Sequence, residues 1–231
     1  MAFEFSDDQV FSWVSTSVNK YTNIYKKNEL DSLNTFIKNP DPFHLITKMI
    51  SLHLNKEEVL KPIPISTTDK TYLNFQGEQW EELILMNQDW ERPKRLLDVS
   101  RKDKTVVVEL KNKHNTVKGS DKVNNYDQMK ICIDEDGYSK ALFVFMIPKG
   151  TKPTYKSFTP SDNKTNSNRP KNTNLIEVDG KTFFDRYFFE TNNGFSNFIN
   201  QVINVSENFS DVYKNNTNLT FLNSIRQLYD I

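Results

Sequence analysis

Cysteine, glycine and histidine are all scarce in this chain of 231 residues, at one, six and three copies. The single thiol, Cys132, leaves no disulfide framework within the chain and no Cys-rich zinc site. The glycines form no phosphate-cradling run, which argues against a nucleotide bound through a P-loop or a Rossmann turn. His44, His53 and His114 show no metal-ligand spacing, and a structural role is the simpler reading of His44 and His53. Long apolar runs are missing too: the longest, Ala141 to Ile147, is far too short to span a bilayer. Glu4, Asp7 and Asp8 stand where a signal peptide would carry positive charge, so a soluble cytoplasmic protein is expected.

Net charge is also absent, with 30 Lys and Arg against 30 Asp and Glu. Its distribution is uneven. Residues 1–91 carry 8 basic against 14 acidic side chains, whereas 92–122 carry 10 against 4 and 149–171 carry 6 against 1. Two basic segments in an otherwise acidic chain suit a surface that tracks phosphates; an ordinary solvated surface is the bland alternative. What is plentiful is aromatic side chains, 17 of them Phe, in a chain that is 36% hydrophobic. That supports a globular protein of one large domain or two small ones.

Taken in order, Ser6 and Gln9 form a capping-box signature ahead of Val10, Val14, Val18, Tyr21 and Tyr25 at helical spacing. Asp41 and Pro42 mark a second helix start, continued by Phe43, Ile46, Ile50 and Leu54. Lys61 to Ser66, with Pro62 and Pro64, predicts an extended linker or edge segment. A helix over about Glu78–Gln88 carries Glu78, Glu81 and Glu82. Ser120 is positioned to cap a helix to about Asp134, with Val123, Tyr126, Met129, Ile131 and Ile133 as its apolar positions. The strand Ala141–Ile147 is continuous enough to be buried on both faces. Lys149 to Asn174 is polar and without periodicity, a length that is usually functional or disordered. Strand Leu175–Val178, an aromatic helix begun by Asp179, and helices over Ser196–Val205 and Leu219–Tyr229 close the chain. This order predicts an α/β fold.

The segment Arg95–Thr116 is the centre of that pattern. It reads as strands Arg95–Ser100 and Thr105–Lys111 joined by a turn at Lys102 and Asp103. Asp98 interrupts an apolar run and Glu109 follows three valines, where a lone buried charge costs several kcal/mol unless paired. A two-residue turn sets Asp98 opposite Val107 and Glu109 on the diagonal, at roughly 7–8 Å and on one sheet face. Lys111 returns to that face. Two carboxylates at this reach can share a divalent cation, and a three-residue loop would break the arrangement. An acid two residues before a Lys also occurs at Asp162 and Asp179, so the tripeptide alone is weak, and a solvated strand edge stands as the alternative. Only the Glu109 copy ends a β-branched strand.

Asp98, ten residues, then Glu109, Leu110 and Lys111 resembles the catalytic motif of the PD-(D/E)XK nucleases, with Leu97 in the place of the proline. Glu109–Thr116, ELKNKHNT, and Phe158–Lys164, FTPSDNK, with Arg169 and Pro170 beyond, resemble type II restriction endonucleases of the group cutting GGNCC-type sites. The resemblance implies a restriction-endonuclease-like core, a mixed β-sheet flanked by helices with further helices at both termini, in one nuclease domain over 1–231. Within it, 1–76 is a helical N-terminal part, 77–148 the catalytic core, 149–174 a basic DNA-reading loop and 175–231 the closing strand and helices.

The same resemblance implies Mg²⁺-dependent hydrolysis of double-stranded DNA at a short palindromic site, leaving 5′-phosphates. Asp98, Glu109 and the Leu110 carbonyl hold one or two Mg²⁺ ions in this reading, Lys111 serves the attacking water, and Glu81 or Glu82 supplies a further acid from the preceding helix. A solvent-facing acidic stripe is the alternative for either glutamate. A homodimer follows from a two-fold symmetric site, and a cognate DNA methyltransferase from a restriction-modification system. Lys113, His114, Asn115 and Lys118 are candidate phosphate anchors. Asp162, Asn163, Lys164, Asn166, Asn168 and Arg169 are candidate readers, since Arg pairs with guanine and Asn with adenine in the major groove; a basic loop holding phosphates is the alternative. Two rivals remain at this stage: a PD-(D/E)XK repair or recombination nuclease, and a DNA-binding protein on the same fold without chemistry.

Overall fold

The computed structural model describes residues 3–38, 62–95, 97–113, 117–147 and 153–206. The helix expected from Asp41, with His44 and His53, and that over Leu219–Tyr229 lie outside the described residues. The chain divides into two compact units, Val14–Gln76 and Met1–Trp13 with Gly77–Ile231. Among the described residues no helix is long and apolar enough to cross a membrane.

Helix α1 (Asp7–Lys38) starts with the expected reciprocal cap. The Gln9 N–H donates to Ser6 Oγ at 3.2 Å and the Ser6 N–H to Gln9 Oε1 at 2.9 Å, so two otherwise unpaired amides are satisfied. Val10 and Val14 are buried as the stripe requires, but Val18 is exposed. Within Val14–Gln76, Tyr21 meets Tyr72 edge-on at 5.2 Å and the Lys20 ammonium lies 5.0 Å above the Phe75 ring.

The described part, 62–66, of the extended segment expected at Lys61–Ser66 is instead the opening of helix α2 (Pro62–Leu85). The first amides of a helix have no intrahelical acceptor, so prolines at 62 and 64 remove donors that would be orphaned anyway. Proline here starts a helix rather than breaking one. The same helix runs on through the acidic stretch expected from Glu78, ending at Leu85 rather than Gln88.

A mixed sheet of six strands follows, in the order β1-β2-β3-β4-β8-β5. Its strands are β1 (Trp90–Glu91), β2 (Val99–Arg101), β3 (Val106–Lys113), β4 (Lys140–Ile147), β5 (Tyr155–Ser157) and β8 (Leu175–Asp179). Strands β3, β4 and β8 run parallel, and the others pair antiparallel with their neighbours. Residues 141–146 of β4 are all buried, the two-sided burial expected of a central parallel strand.

A parallel pair needs a crossover, and helix α3 (Gly119–Asp134) supplies it between β3 and β4. Tyr126, Met129 and Cys132 of α3 pack with Val107, Phe143 and Phe145 on one sheet face. Two details of the expected helix change. Lys118 is the N-cap and makes no side-chain cap bond, leaving Ser120 inside the first turn. Cys132 takes the core position between the partly buried Ile131 and Ile133, because three residues on from Met129 is where helical periodicity returns to the core.

After β8, Asp179 caps helix α4 (Gly180–Phe183) by accepting the Thr182 N–H at 2.9 Å. The same carboxylate accepts the Thr182 hydroxyl and the Thr154 N–H, each at 2.7 Å. A side chain at Gly180 would put its Cβ 2.9 Å from the Met146 Cα, so only glycine allows this approach of helix to strand. A π-helical turn, Phe184–Phe188, and helix α5 (Gly194–Ser206) complete the described chain. Much of the phenylalanine is used here: Phe5, Phe184, Phe188, Phe189, Phe195 and Phe198 are buried against one another, with Phe184 and Phe195 stacked at 5.1 Å.

The polar stretch expected to lack structure is ordered over its described part, 153–174. Strand β5 extends the sheet edge against β8, and β6 (Ser161–Asp162) and β7 (Ser167–Asn168) form a hairpin. Its turn, Asn163–Asn166, puts Asn166 at φ +52°, a conformation asparagine tolerates better than most side chains. Strands this short and polar leave almost no periodic signal in a sequence.

Candidate active site

Strands β2 and β3 pair with Val99 opposite Val108 and Ser100 opposite Val107. The connection is four residues, Lys102–Thr105, not two. The Lys104 N–H donates to the Arg101 carbonyl at 3.0 Å, Lys104 adopts φ +60°, and Asp103 Oδ1 accepts the Thr105 N–H at 2.9 Å. Asp103 thereby spends its hydrogen bonds inside the turn. Adding two residues keeps the parity of the sheet face while sliding the register, so Asp98 continues the ladder level with Glu109 rather than diagonal to it. The Asp98 N–H donates to the Val108 carbonyl at 3.0 Å, and Asp98 Oδ2 accepts the Leu110 N–H at 2.6 Å.

Glu109 is buried, with 7% of its side chain exposed, and its Oε1 lies 2.5 Å from the Lys111 ammonium. Asn125, on α3, is a polar neighbour that favours the ionised form of the same carboxylate. From helix α2, Glu81 enters the field of both acids: burial raises its carboxyl, Arg92 opposes that and the charge of Asp98 adds to the rise, while the charge of Glu81 adds to the burial that raises Glu109. Arg92 joins Glu81 at 2.8 Å and Glu82 at 2.6 Å. Glu82 is mostly exposed and Glu81 mostly buried, so of the two helix acids Glu81 is the one turned toward the carboxylate pair.

Burial, then the charge of Glu109, pushes the Asp98 carboxyl up to about 6, with the Leu110 amide and the Lys111 and Arg92 charges pulling the other way. Burial also raises Glu109, against the opposing pull of Lys111 and Asn125. Two hard oxygen donors held in mutual repulsion by an apolar hairpin are a donor set that a divalent cation relieves. Among the described residues no three His, Cys, Asp or Glu stand close enough to hold a metal together. A cation at this place draws on the Asp98–Glu109 pair and on backbone or solvent oxygen.

The raised Asp98 has a consequence for stability. Its folded-state pKa lies above the unfolded value of about 3.9, so the native protein binds the extra proton between about pH 4 and 6 and loses stability as pH rises through that window. At neutral pH the penalty is on the order of 2–3 kcal/mol. Asp98→Asn keeps an oxygen for the Leu110 amide and removes the charge. Thermal melts in EDTA are expected to show Asp98→Asn above wild type at pH 7–8, by roughly 2–4 °C per kcal/mol, with the gap closing toward pH 4. A variant equally destabilised at both pH values contradicts the assignment of a strained, ionised Asp98.

The other two acid-x-Lys tripeptides have structural work. Asp179 is the α4 cap, and Lys181 pairs with Asp185 at 2.9 Å. Asp162 is buried and its Oδ1 accepts the backbone N–H of Lys164 at 2.9 Å, fixing the hairpin turn. Of the candidate readers, Asn163, Lys164, Asn166 and Asn168 are exposed on that hairpin. Arg169 is turned inward, its Nη2 2.7 Å from Asp127 Oδ2 and 3.7 Å from Asp162 Oδ2. Lys113 ends β3 opposite Ile147, and Lys118 is exposed at the start of α3. His114 and Asn115 lie outside the described residues.

Sequence reasoning missed Arg92 and Asn125. Arg92 opens the basic run Arg92, Lys94, Arg95 directly after the acidic helix, a juxtaposition of opposite charge that could have signalled the pair. Asn125 had no signal, because its partner is on another element.

The family model described as Eco47II restriction endonuclease matches residues 3–215. The type II restriction enzyme Eco47II of Escherichia coli is 27% identical over 190 residues, covering 78% of this chain and 76% of that protein. No solved structure matches. The carboxylates of Asp98 and Glu109, level with each other on one sheet face, and a match across most of the chain agree: the chain belongs to the Eco47II family of type II restriction endonucleases, site-specific deoxyribonucleases whose substrate is DNA.

Proposed function

We propose that this restriction endonuclease cuts double-stranded DNA at a GGNCC-like palindromic site by Mg²⁺-dependent hydrolysis that leaves 5′-phosphates. The observation that carries this reading is the placement of Asp98 level with Glu109 inside an apolar hairpin, with Lys111 on the Glu109 carboxylate. Asp98, Glu109 and the Leu110 carbonyl hold one or two Mg²⁺ ions, which when bound neutralise charge on the scissile phosphate and acidify a water.

The chain's own groups do the rest. The Lys111 ammonium stabilises negative charge developing on the attacking oxygen. Glu81, in the field of both carboxylates, is the additional acid from the helix, while Glu82 holds Arg92 at the surface. Lys113, His114, Asn115 and Lys118 anchor phosphates beyond the strand, which positions the duplex without reading it. Asn163, Lys164, Asn166 and Asn168 present donors and acceptors to base edges from an exposed hairpin. A two-fold symmetric site is met by a homodimer, working in the cytoplasm beside a methyltransferase that protects the same site.

Digestion of a sequenced plasmid in Mg²⁺ and in EDTA tests the reading. The expected result is discrete fragments in Mg²⁺ alone, with every end mapping to one short sequence and carrying a 5′-phosphate. A smear indicates a nuclease that reads DNA structure, and intact plasmid in Mg²⁺ indicates binding without chemistry.

A further inference from the structure

We infer that the Asp127–Arg169 ion pair is a positioning latch, which fixes the β6–β7 hairpin on helix α3, the crossover helix packed on the sheet face that carries Glu109. The inference rests on the catalytic reading of Glu109 and goes beyond it, because it assigns the link between hairpin and carboxylate. Two consecutive residues of α3 make the connection. The Tyr126 hydroxyl donates to the Pro170 carbonyl at 2.7 Å, and Asp127 Oδ2 accepts from Arg169 Nη2 at 2.7 Å. The same helix packs through Tyr126, Met129 and Cys132 on Val107 and Phe143, the sheet face that carries Glu109.

Packing reinforces the link. The ring of Phe158, just before the hairpin, stacks face to face on Phe143 at 4.4 Å and stands 6.3 Å from Tyr126. Phe143 is the β4 residue opposite Glu109. The base of the hairpin thus shares an aromatic stack with β4, the strand paired to the one that bears the carboxylate. Interiors packed this closely transmit displacement rather than absorb it.

Arg169 suits a latch better than a reader. Its side chain is 29% exposed, two carboxylates face it, and its backbone N–H closes the hairpin base by donating to the Pro160 carbonyl at 2.9 Å. Pairing with guanine would require the guanidinium to abandon Asp127. Asp127 is itself 46% exposed, and an exposed ion pair contributes little to global stability. Breaking it is therefore expected to loosen the hairpin without unfolding the protein.

The test compares wild type, Asp127→Asn, Asp127→Glu and Arg169→Ala in two measurements. Hydrogen exchange of residues 161–168, without DNA or metal, is expected to quicken in Asp127→Asn and stay near wild type in Asp127→Glu, which keeps the charge. Single-turnover cleavage of the cognate duplex is expected to slow about 10–100-fold in Asp127→Asn, the scale of a misplaced catalytic group, with Ca²⁺-supported affinity nearly unchanged. Unchanged exchange in Asp127→Asn overturns the latch whatever the chain does to DNA. Faster exchange with a wild-type cleavage rate overturns the coupling and leaves the nuclease reading intact. Loss of cognate affinity in Arg169→Ala, with Asp127→Asn normal, overturns the latch in favour of base reading.

Discussion

Asp98→Ala and Glu109→Ala are each expected to abolish cleavage while leaving a folded, DNA-binding protein. On the proposed function the two carboxylates, Glu109 within β3 and Asp98 level with it just before β2, would hold the cation, and a bound cation supplies several kcal/mol of charge stabilisation, equivalent to a rate loss of about 10³-fold or more when it is displaced. Folding is spared because both acids are liabilities in the free protein: Asp98 is held near pH 6 in its titration by burial and by Glu109, and burial raises Glu109 as well. The two variants still differ. Glu109→Ala leaves the Lys111 ammonium without its 2.5 Å partner, so Glu109→Gln, which keeps an oxygen there, is the gentler control. Binding in Ca²⁺ is expected to persist in both, since phosphate contacts lie elsewhere. Single-turnover rates in Mg²⁺ and affinity in Ca²⁺ check the expectation, and a wild-type rate in either variant refutes the site.

The parts of this fold that were legible in the sequence are those in which a local rule and the tertiary structure agree. Ser6 and Gln9 cap α1 because both halves of the device are three residues apart. The apolar run at Ala141–Ile147 becomes the central strand because a parallel strand must be buried on both faces. Where position within an element reverses a rule, the reading failed. Pro62 and Pro64 forbid a helix interior but favour its first turn, and nothing in the sequence distinguishes the two. The β6–β7 hairpin failed for another reason: it is held by Asp127, Tyr126 and Phe158, which are distant or non-periodic, rather than by an apolar pattern of its own.

The site divides along the same line. Asp98, Glu109 and Lys111 were recognisable because strand parity alone puts them on one face, and parity survives a change of loop length from two to four. The register did not survive, since turn residues such as Lys104 at φ +60° carry no strong sequence signature. Glu81 could not be separated from Glu82 without the geometry of Arg92, and Asn125 comes near Glu109 only because the α3 crossover returns over β3.

Lys111→Ala is expected to lower the single-turnover rate by about 10²–10³-fold, the cost of removing one preorganised charge stabiliser, with affinity little changed. The structure explains why rate and affinity should separate here. The ammonium is tied to Glu109 Oε1 at 2.5 Å and its side chain is 29% exposed, so it is directed inward at the carboxylates rather than outward as a phosphate anchor. A charge in that place matters most when negative charge develops on the attacking oxygen, and little in the ground state. Lys111→Arg keeps the charge but replaces a compact ammonium with a planar fork, and is expected to recover only part of the rate. The decisive comparison is with the surface lysines: loss of Lys118 reduces the salt dependence of binding at near-constant chemistry, whereas loss of Lys111 leaves the salt slope unchanged. Unchanged cleavage with weakened, less salt-sensitive binding in Lys111→Ala makes this lysine a phosphate anchor and removes it from the chemistry.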